Sequence, residues 1–569
     1  MSENYMPPQP NNPTKEERYK LIKYALKENN RLEDLQNIIK LMSPPPDVTS
    51  VLPPGKCKGV KVAIIGAGEA GLSAAFELRK LGFNITVFEA LENKIGGRVY
   101  TYYFTEDLYG ELGPMRIPVS HEATWHYINL FNLDTRPFIQ TNPNTYIYVQ
   151  NTRVMNDGNE IMKYIYPKFK LTPIEGTIPF DEYLECIYSK RLLKIPKSVR
   201  KELLQIKKVY DPQIVYLDTL NVRNVCQLLG LSEGAINLIQ SVASFDSAFF
   251  YYAFTELLKD EYAVNFSFLY EIVGGLIKLP LAFYKSLVNP YPKEYSIPNN
   301  LLGKIVFKQG TPVEGIYQED KDKVILKYNN KYLNKPSFEK FDFVICAIPF
   351  SSLRNVDIYP GFSNRKMQAI REVNYATSQR TLFLCKKRFW EEGPPNKRII
   401  GGGSYTDLPI TTIWYPSDHG KCYDLNTFKR KYKKGCSPYE PGVLLASYNF
   451  NLDAIRLGNL DEERRFEEIK RQVELVHGLP KYYLDDIVID YKSINWNDLQ
   501  WFLGAVCFFQ PEQKRVFSYA MTKPEYNLRV FFAGEHISVH HGWQQGALES
   551  GMKAAYDLAK VCKKVFYFK

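Results

Sequence analysis

The sequence contains no long apolar run. No stretch reaches the roughly 18 consecutive apolar residues that a membrane-spanning helix requires, so no membrane segment is expected. The first 14 residues are polar and proline-rich, without the apolar core of a signal peptide. Metal-type spacing is also missing. Nine cysteines stand at 57, 186, 226, 346, 385, 422, 436, 507 and 562, and no two form a Cys-x-x-Cys pair. This excludes a zinc ribbon and a dense disulfide framework. The cysteines read as reduced, mostly buried thiols of a cytoplasmic protein. His121-Glu122-Ala123-Thr124-Trp125-His126 approaches a zinc-helix motif, but its second histidine falls off the face that the first occupies. No metal site is expected. There is no phosphate-gripping GxxxxGK[ST] loop, no GxSxG nucleophile turn, no internal repeat and no low-complexity segment.

Charge of one sign is scarce. With 73 basic and 62 acidic residues the net charge is +11, modest for 569 residues. The densest basic runs, 429–434 and Lys386-Lys387-Arg388, are short and read as solvated faces, so no nucleic-acid partner is expected. Aromatics are abundant at 14%, with 41 tyrosines and 34 phenylalanines. Such side chains suit large half-polar cavities. At roughly 150 residues per domain the length allows three or four structural units.

Helical periodicity over 15–42 (Tyr19, Ile22, Leu26, Leu35, Ile38, Ile39) predicts an arm, closed by Pro44-Pro45-Pro46. The arm is able to pack on its own chain or on a second copy, which would make a homodimer. A compact unit starts near Cys57. Val60–Ile65 reads as a buried strand, about 70–81 as a helix and Asn84–Phe88 as a second strand, the pattern of a parallel sheet. Residues from about 160 to 265 read as helical, including Val225–Ile239 and Phe249–Leu258. Strand signals return at Lys304–Phe307, Lys323–Tyr328, Phe341–Ile348, Ser378–Lys386, Thr411–Tyr415 and Gly442–Phe450. Glu462–His477 predicts a helix ended by Gly478 and Pro480. Arg529–Phe532 predicts a last strand, and Gly546–Val561 a last helix.

The chemistry concentrates in a few motifs. Gly66-Ala67-Gly68-Glu69-Ala70-Gly71 lies between strand and helix. Gly66 permits the turn, Gly68 admits a pyrophosphate and Gly71 lets the helix pack on the strand. The helix N-terminus adds partial positive charge for phosphates. Glu89, followed by Ala90, ends the second strand, where a carboxylate receives ribose hydroxyls and repels a 2′-phosphate. Gly96-Gly97-Arg98 follows, offering side-chain-free backbone and a phosphate-matching fork. An ordinary α/β turn with a solvated arginine is the plain alternative.

The run 61–98 resembles the adenine-dinucleotide arm of the FAD-dependent amine oxidase superfamily. Glu111-Leu112-Gly113-Pro114-Met115-Arg116-Ile117-Pro118 is similar to its L-amino-acid oxidase branch. Tyr270-Glu271-Ile272-Val273-Gly274-Gly275 with Leu279-Pro280 resembles the family's central flavin motif. Phe532-Ala533-Gly534-Glu535-His536 and His541-Gly542-Trp543 resemble its closing motif. The resemblance spans roughly residues 57 to 565, leaving 1–55 without a motif.

The resemblance implies an α/β fold with a discontinuous Rossmann-like FAD-binding domain over 56–118, 268–348 and 503–569. It also implies a sheet-based substrate domain over 119–160 and 349–502, and a helical insertion over 161–267, after the tail and arm at 1–55. FAD contacts are expected from Gly66, Gly68, Glu69, Ala70, Gly71, Glu89, Ala90, Gly97 and Arg98. Further contacts are expected from Met115, Arg116, Val313, Gly534, Glu535, Gly542 and Trp543. Arg116 would clamp the substrate α-carboxylate bidentately, unless it pairs internally with Glu111 or Glu122. Tyr448 would share that carboxylate, with Ser447 as the alternative if the strand register shifts by one. Trp543 would wall the substrate cavity, and the Gly542 carbonyl would accept from the amine. Arg380 stands where many relatives carry a water-holding lysine, and arginine does not readily deprotonate.

The implied reaction is oxidative deamination of an L-amino acid, with an aromatic or large apolar side chain expected. Hydride passes to FAD, the imino acid hydrolyses to a 2-oxo acid and ammonia, and O₂ becomes H₂O₂. The motifs leave open an amino-acid 2-monooxygenase, an amine oxidase and a non-catalytic flavin-binding protein.

Overall fold

The computed structural model describes residues 6–243, 245–319, 322–330, 335–431 and 435–567. The first five tail residues and Tyr432-Lys433-Lys434 of the basic run lie outside the described residues.

A five-stranded sheet organises the nucleotide-binding part. Its strand order is Ile305–Lys308, Asn84–Phe88, Lys61–Ile65, Phe343–Cys346, Val530–Phe532. All neighbours are parallel: Ile64 lies opposite Val87 on one side and Ile345 on the other. Val62, Ala63, Ile64 and Ile65 are consecutive and buried, as a strand covered on both faces demands. Parallel strands need crossovers, and the helix Glu69–Lys80 makes the first.

The final helix, Gln544–Tyr567, packs along that first helix. A Cβ at Gly551 would strike the Ala70 carbonyl oxygen and Ser73 Oγ, so this approach requires glycine. Ser73 Oγ also donates to the Leu548 carbonyl at 3.2 Å. Chain segments nearly 500 residues apart therefore meet at one end of the sheet.

A seven-stranded sheet stands beside it, with Ser378–Cys385 between Val488–Asn495 and Gly442–Phe450. Ser378–Cys385 is buried at every position. Arg380 lies opposite Tyr448 in the antiparallel register, which puts both side chains on one face. The helix Glu462–His477 begins at an Asp461 cap and ends at Gly478 in the left-handed conformation. Phe350, Leu353, Phe362 and Ile370 share a core with Ile65, Val344 and Phe532. The chain just after Phe343–Cys346 thus still packs on the nucleotide-binding sheet.

Residues 158–262 carry short helices. The expected helix Val225–Ile239 is two, Val222–Leu228 and Glu233–Val242. Gly230 adopts φ +76° and Ser232 caps the second helix from its hydroxyl. The expected helix Phe249–Leu258 begins only at Phe254, because Ala253 is extended and donates its N–H to the Phe509 carbonyl at 2.9 Å.

The arm is also broken, into Lys15–Glu28 and Leu35–Met42, with Asn30 at φ +54° between them. Thr14 and Glu17 form a reciprocal capping box at its start. The arm packs on its own chain. Arg18 pairs with buried Glu122, stacks on Trp125 and donates to the Val119 carbonyl at 3.1 Å. Asp34 pairs with Arg200 at 2.7 Å, and Arg31 donates to the Tyr262 carbonyl at 3.0 Å.

The cysteine reading needs one correction. Cys422 and Cys436 form a disulfide that pins a loop beside the seven-stranded sheet, and the other seven cysteines are free. Their separation of 14 residues matches no short motif, which is why spacing alone missed them. Thiol titration of the denatured protein is expected to find seven thiols, and nine after reduction; nine before reduction would refute the bond. Arg18→Ala leaves Glu122 buried without its cation and is expected to cost about 3 kcal/mol. A thermal midpoint equal to wild type would refute that role.

Candidate active site

The glycine turn creates a space with no side chains. Gly66 has φ +102°, and a Cβ there would lie 3.1 Å from the Ala347 carbonyl oxygen. Gly97 approaches Gly68 so closely that its Cβ would sit 3.2 Å from the Gly68 Cα. Gly71 is not among the residues that line the cavity. A Cβ there would strike the Gly66 carbonyl oxygen, so its work is to seat the helix on the turn.

Glu89 accepts the Ala67 and Leu91 backbone N–H groups, each at 2.9 Å. Burial pushes its carboxyl above the usual range. Glu69 is buried in the first helical turn and accepts from Gln544 Nε2 at 2.6 Å. With little but that bond to offset desolvation, its carboxyl is pushed up to about 8. The first and last helices thus meet through side chains at the cavity wall.

One cavity of about 660 Å³ joins these parts, within the roughly 300–1,000 Å³ typical of cofactor sites. At the nucleotide end it is lined by Gly66, Gly68, Glu69, Ala70, Glu89, Ala90, Gly97, Arg98 and Val313. Gly534, Glu535, Met115 and Gly542 continue it, and Arg116, Arg380, Tyr448 and Trp543 complete it. Glu535 Oε1 accepts from Arg98 Nη1 and the Cys507 N–H, both at 3.0 Å, and Oε2 from the Gly542 N–H at 3.0 Å. Arg98 therefore spends one nitrogen on Glu535 and the Ala505 carbonyl rather than offering its whole fork to phosphate. This donor set fits a dinucleotide: Cβ-free backbone at Gly68 and Gly97, a helix N-terminus, and carboxylates at Glu89 and Glu535.

Arg116 is 8% exposed. Its guanidinium sits 5.0 Å from the Trp414 ring, 5.2 Å from Phe266 and 5.9 Å from Phe138, and it donates to Gln140 Oε1 at 2.7 Å. Neither internal partner considered from sequence holds it. Glu122 pairs with Arg18, and Glu111 accepts from Thr101 Oγ1 and the Leu276 N–H. Among the described residues no carboxylate reaches ion-pair distance. Burial lowers its pKa to about 10, opposed by Tyr448, Tyr405 and Asp260; it stays protonated at neutral pH. A buried, aromatic-walled cation without a counter-ion is a site for an anionic group.

Tyr448 and Phe450 are the residues of their strand that line the cavity. Ser447 points elsewhere and donates to Gln379 Oε1 at 3.0 Å, so the register choice falls on Tyr448. The Arg380 guanidinium lies 3.7 Å from the Tyr448 ring centre, and its Nη1 donates to the Glu111 and Gly113 carbonyls. Arg380 thereby ties the loop bearing Arg116 to the strand bearing Tyr448. Trp543 donates from Nε1 to Asp260 Oδ1 at 3.2 Å and packs edge-on to His121.

Sequence reasoning missed Asp260, Phe266, Trp414 and Gln140. Asp260 lies in the charged stretch Lys259-Asp260-Glu261, which carries no motif, and the aromatic walls come from three separate segments. Among the described residues no group of three metal-ligating side chains forms, and no helix is long and apolar enough to cross a membrane.

Comparison with known proteins gives the family. The family model for flavin-containing amine oxidoreductases matches residues 70–559. An L-amino-acid oxidase of Sistrurus catenatus edwardsii is 30% identical over 507 residues, covering 88% of this chain and 86% of that protein. One from Bothrops moojeni is 29% identical over 507 residues, covering 88% and 89%. A solved putrescine oxidase triple mutant aligns with TM-score 0.60 at 16% identity, over 88% of this chain and 99% of its own, a likeness of fold. On the family match and the extent of these relationships, the chain belongs to the flavin-containing amine oxidoreductases.

Proposed function

We propose that the protein is an FAD-dependent L-amino-acid oxidase, converting an L-amino acid and O₂ into a 2-oxo acid, ammonia and hydrogen peroxide. The observation that carries this reading is Arg116, a buried guanidinium without an ion-pair partner among the described residues, in the cavity that also holds the glycine turn. L-Amino-acid oxidase relatives at 30% identity over most of the chain support it. An amine substrate without a carboxylate would leave that cation uncompensated, at the cost of an unpaired buried charge.

In this reading Glu89 and Glu535 would accept from hydroxyls of FAD, and the N-terminus of Glu69–Lys80 would hold its pyrophosphate. The chemistry FAD supplies when bound is acceptance of hydride from Cα and transfer of the electrons to O₂. The chain's own work is positioning. Arg116 forks onto the α-carboxylate, with the Tyr448 phenol beside it. Arg380 holds Tyr448 and the Arg116 loop in place; its guanidinium, tied to two carbonyls, replaces any lysine-held water by a fixed strut. The Gly542 carbonyl accepts from the amine. Phe266, Phe508 and Trp543 line the cavity, exclude water and favour an aromatic or large apolar side chain.

We also propose a homodimer. The arm, packed on its own chain, leaves it to other surfaces, and light scattering reads the mass in solution. The cytoplasmic expectation is set against the Cys422–Cys436 bond, which oxidising compartments favour.

Arg116→Ala is expected to raise KM for amino acids about hundredfold, in line with losing a buried charge pair of roughly 2–5 kcal/mol, while flavin stays bound. Arg116→Lys is expected to recover only part, because it keeps the charge and loses the fork. Unchanged steady-state kinetics would refute the assignment. Product analysis is expected to give a 2-oxo acid with peroxide; a carboxamide would identify a monooxygenase instead. Glu89→Ala is expected to yield protein depleted of flavin absorbance and reactivated by added FAD. Full flavin content in that variant would remove Glu89 from the cofactor site.

A further inference from the structure

Asp260 is a cavity carboxylate beside Trp543 that the reading above leaves without a task. Asp260 lies near the end of the helix Phe254–Tyr262, is 6% exposed and lines the cavity. Its Oδ1 accepts from Asn265 Nδ2 at 2.7 Å and from Trp543 Nε1 at 3.2 Å. Asn265 is itself held, taking a bond from Ser120 Oγ at 3.1 Å and donating its backbone N–H to the Asp260 carbonyl at 3.0 Å. Oδ2 accepts no bond from the described residues and is not sealed from the cavity. The carboxylate is thus oriented through one oxygen, and the other is left for a ligand.

The reaction has a requirement that the other residues do not meet. An amino acid arrives chiefly as a zwitterion, its amine protonated at neutral pH. An ammonium has no lone pair to become the C=N bond as hydride leaves Cα. A proton must therefore leave the nitrogen first. Arg116 and Asp260 present a cation and an anion in one cavity, matching the two charges of a zwitterion.

We propose that Asp260 Oδ2 receives the α-ammonium of the bound amino acid and takes its proton before hydride transfer. The N–H bond breaks, an O–H bond forms on the carboxylate and no electrons move. The proton returns to water as product departs. The inference rests on the reading that Arg116 holds the carboxylate.

The surroundings favour this task. On its own helix, Lys259 pairs with Glu256. From other elements, His541 faces Glu256 at 3.0 Å, Arg116 shares the cavity, and His121 packs on Trp543. Burial raises the Asp260 carboxyl to about 6, with Glu256 adding to the rise and Lys259, Asn265 and Trp543 opposing it. A base near the working pH is effective in proton transfer. Being raised, the group is a base above about pH 6 and is lost as the pH falls below it.

The test uses flavin-loaded enzyme. Asp260→Asn keeps an oxygen for Trp543 and Asn265 but removes the base. With L-phenylalanine, wild-type kcat/KM is expected to fall below about pH 6. Near pH 7 the variant is expected to be about hundredfold slower. It should then rise roughly tenfold per pH unit towards the substrate's own amine ionisation and converge on wild type, since it must wait for free neutral amine. A uniform drop at every pH would overturn the proposal and leave Asp260 only the indole to position. A loss confined to L-lysine would overturn it in favour of side-chain recognition.

Wild type alone supplies a second test, needing no variant. Its acid limb should stay at one pH for amino acids of different amine pKa, and a limb that moves with the substrate overturns the proposal. Binding of 3-phenylpropionate, a carboxylate without an amine, followed by flavin absorbance, separates the two readings. It should be retained in Asp260→Asn and weakened in Arg116→Ala. Unweakened binding in Arg116→Ala would defeat the carboxylate clamp, while the pH profile would still judge Asp260.

Discussion

The site depends on how closely the last helix lies against the first. At Gly551 no side chain fits between the helix and the Ala70 carbonyl. That contact brings residues of the C-terminal segment to the glycine turn near residue 66. Gln544 reaches Glu69 across the junction, and Glu535 collects Arg98, Cys507 and Gly542 beside it. Without the approach, the nucleotide turn and the substrate wall at Trp543 would belong to separate surfaces. A long ligand such as FAD needs both on one cavity, which is why an inserted side chain here would act on cofactor and substrate together.

The substrate end is governed by charge in a desolvated space. Arg116, Arg380 and Asp260 all line the cavity, and each is restrained differently. Arg380 is spent on carbonyls and the Tyr448 ring, so it acts as structure. Arg116 is walled by aromatics and, among the described residues, hydrogen-bonds only the neutral amide of Gln140, so its charge is available. Asp260 has one oxygen engaged and one open. The same burial weakens the charged form of both free groups, lowering the arginine and raising the aspartate. An amino-acid zwitterion bound as proposed would relieve both at once, restoring what desolvation removed.

The nucleotide end was legible because local rules control it. Val62–Ile65, the turn at Gly66–Gly71 and Glu89 sit within 30 residues, and each feature has a short-range cause: a continuous apolar run, a positive φ, a helix N-terminus. Even so, no local rule shows that Gly71 seats the helix on the Gly66 carbonyl or that Glu535 holds the Arg98 fork. Helix boundaries failed where a capping hydroxyl or a long-range backbone bond intervened, at Ser232 and at Ala253. The Cys422–Cys436 disulfide failed for a similar reason: a loop brings together thiols that no motif relates.

The sequence by itself determined the family, the parallel-sheet start, the dinucleotide turn and the identity of Arg116, Tyr448 and Trp543 as residues worth testing. Tertiary structure decided what those residues touch. Whether Arg116 pairs with Glu122 or stays available turns on Arg18, which lies 98 positions earlier and claims that carboxylate. Whether Arg380 holds water or strand turns on carbonyls of a loop about 267 positions away. Asp260 becomes a cavity carboxylate only because Asn265 and Trp543 turn it inward. The physical reason is common to all three. A charged side chain is defined by its partner and its solvent exposure, and both are properties of the folded chain rather than of neighbours in sequence.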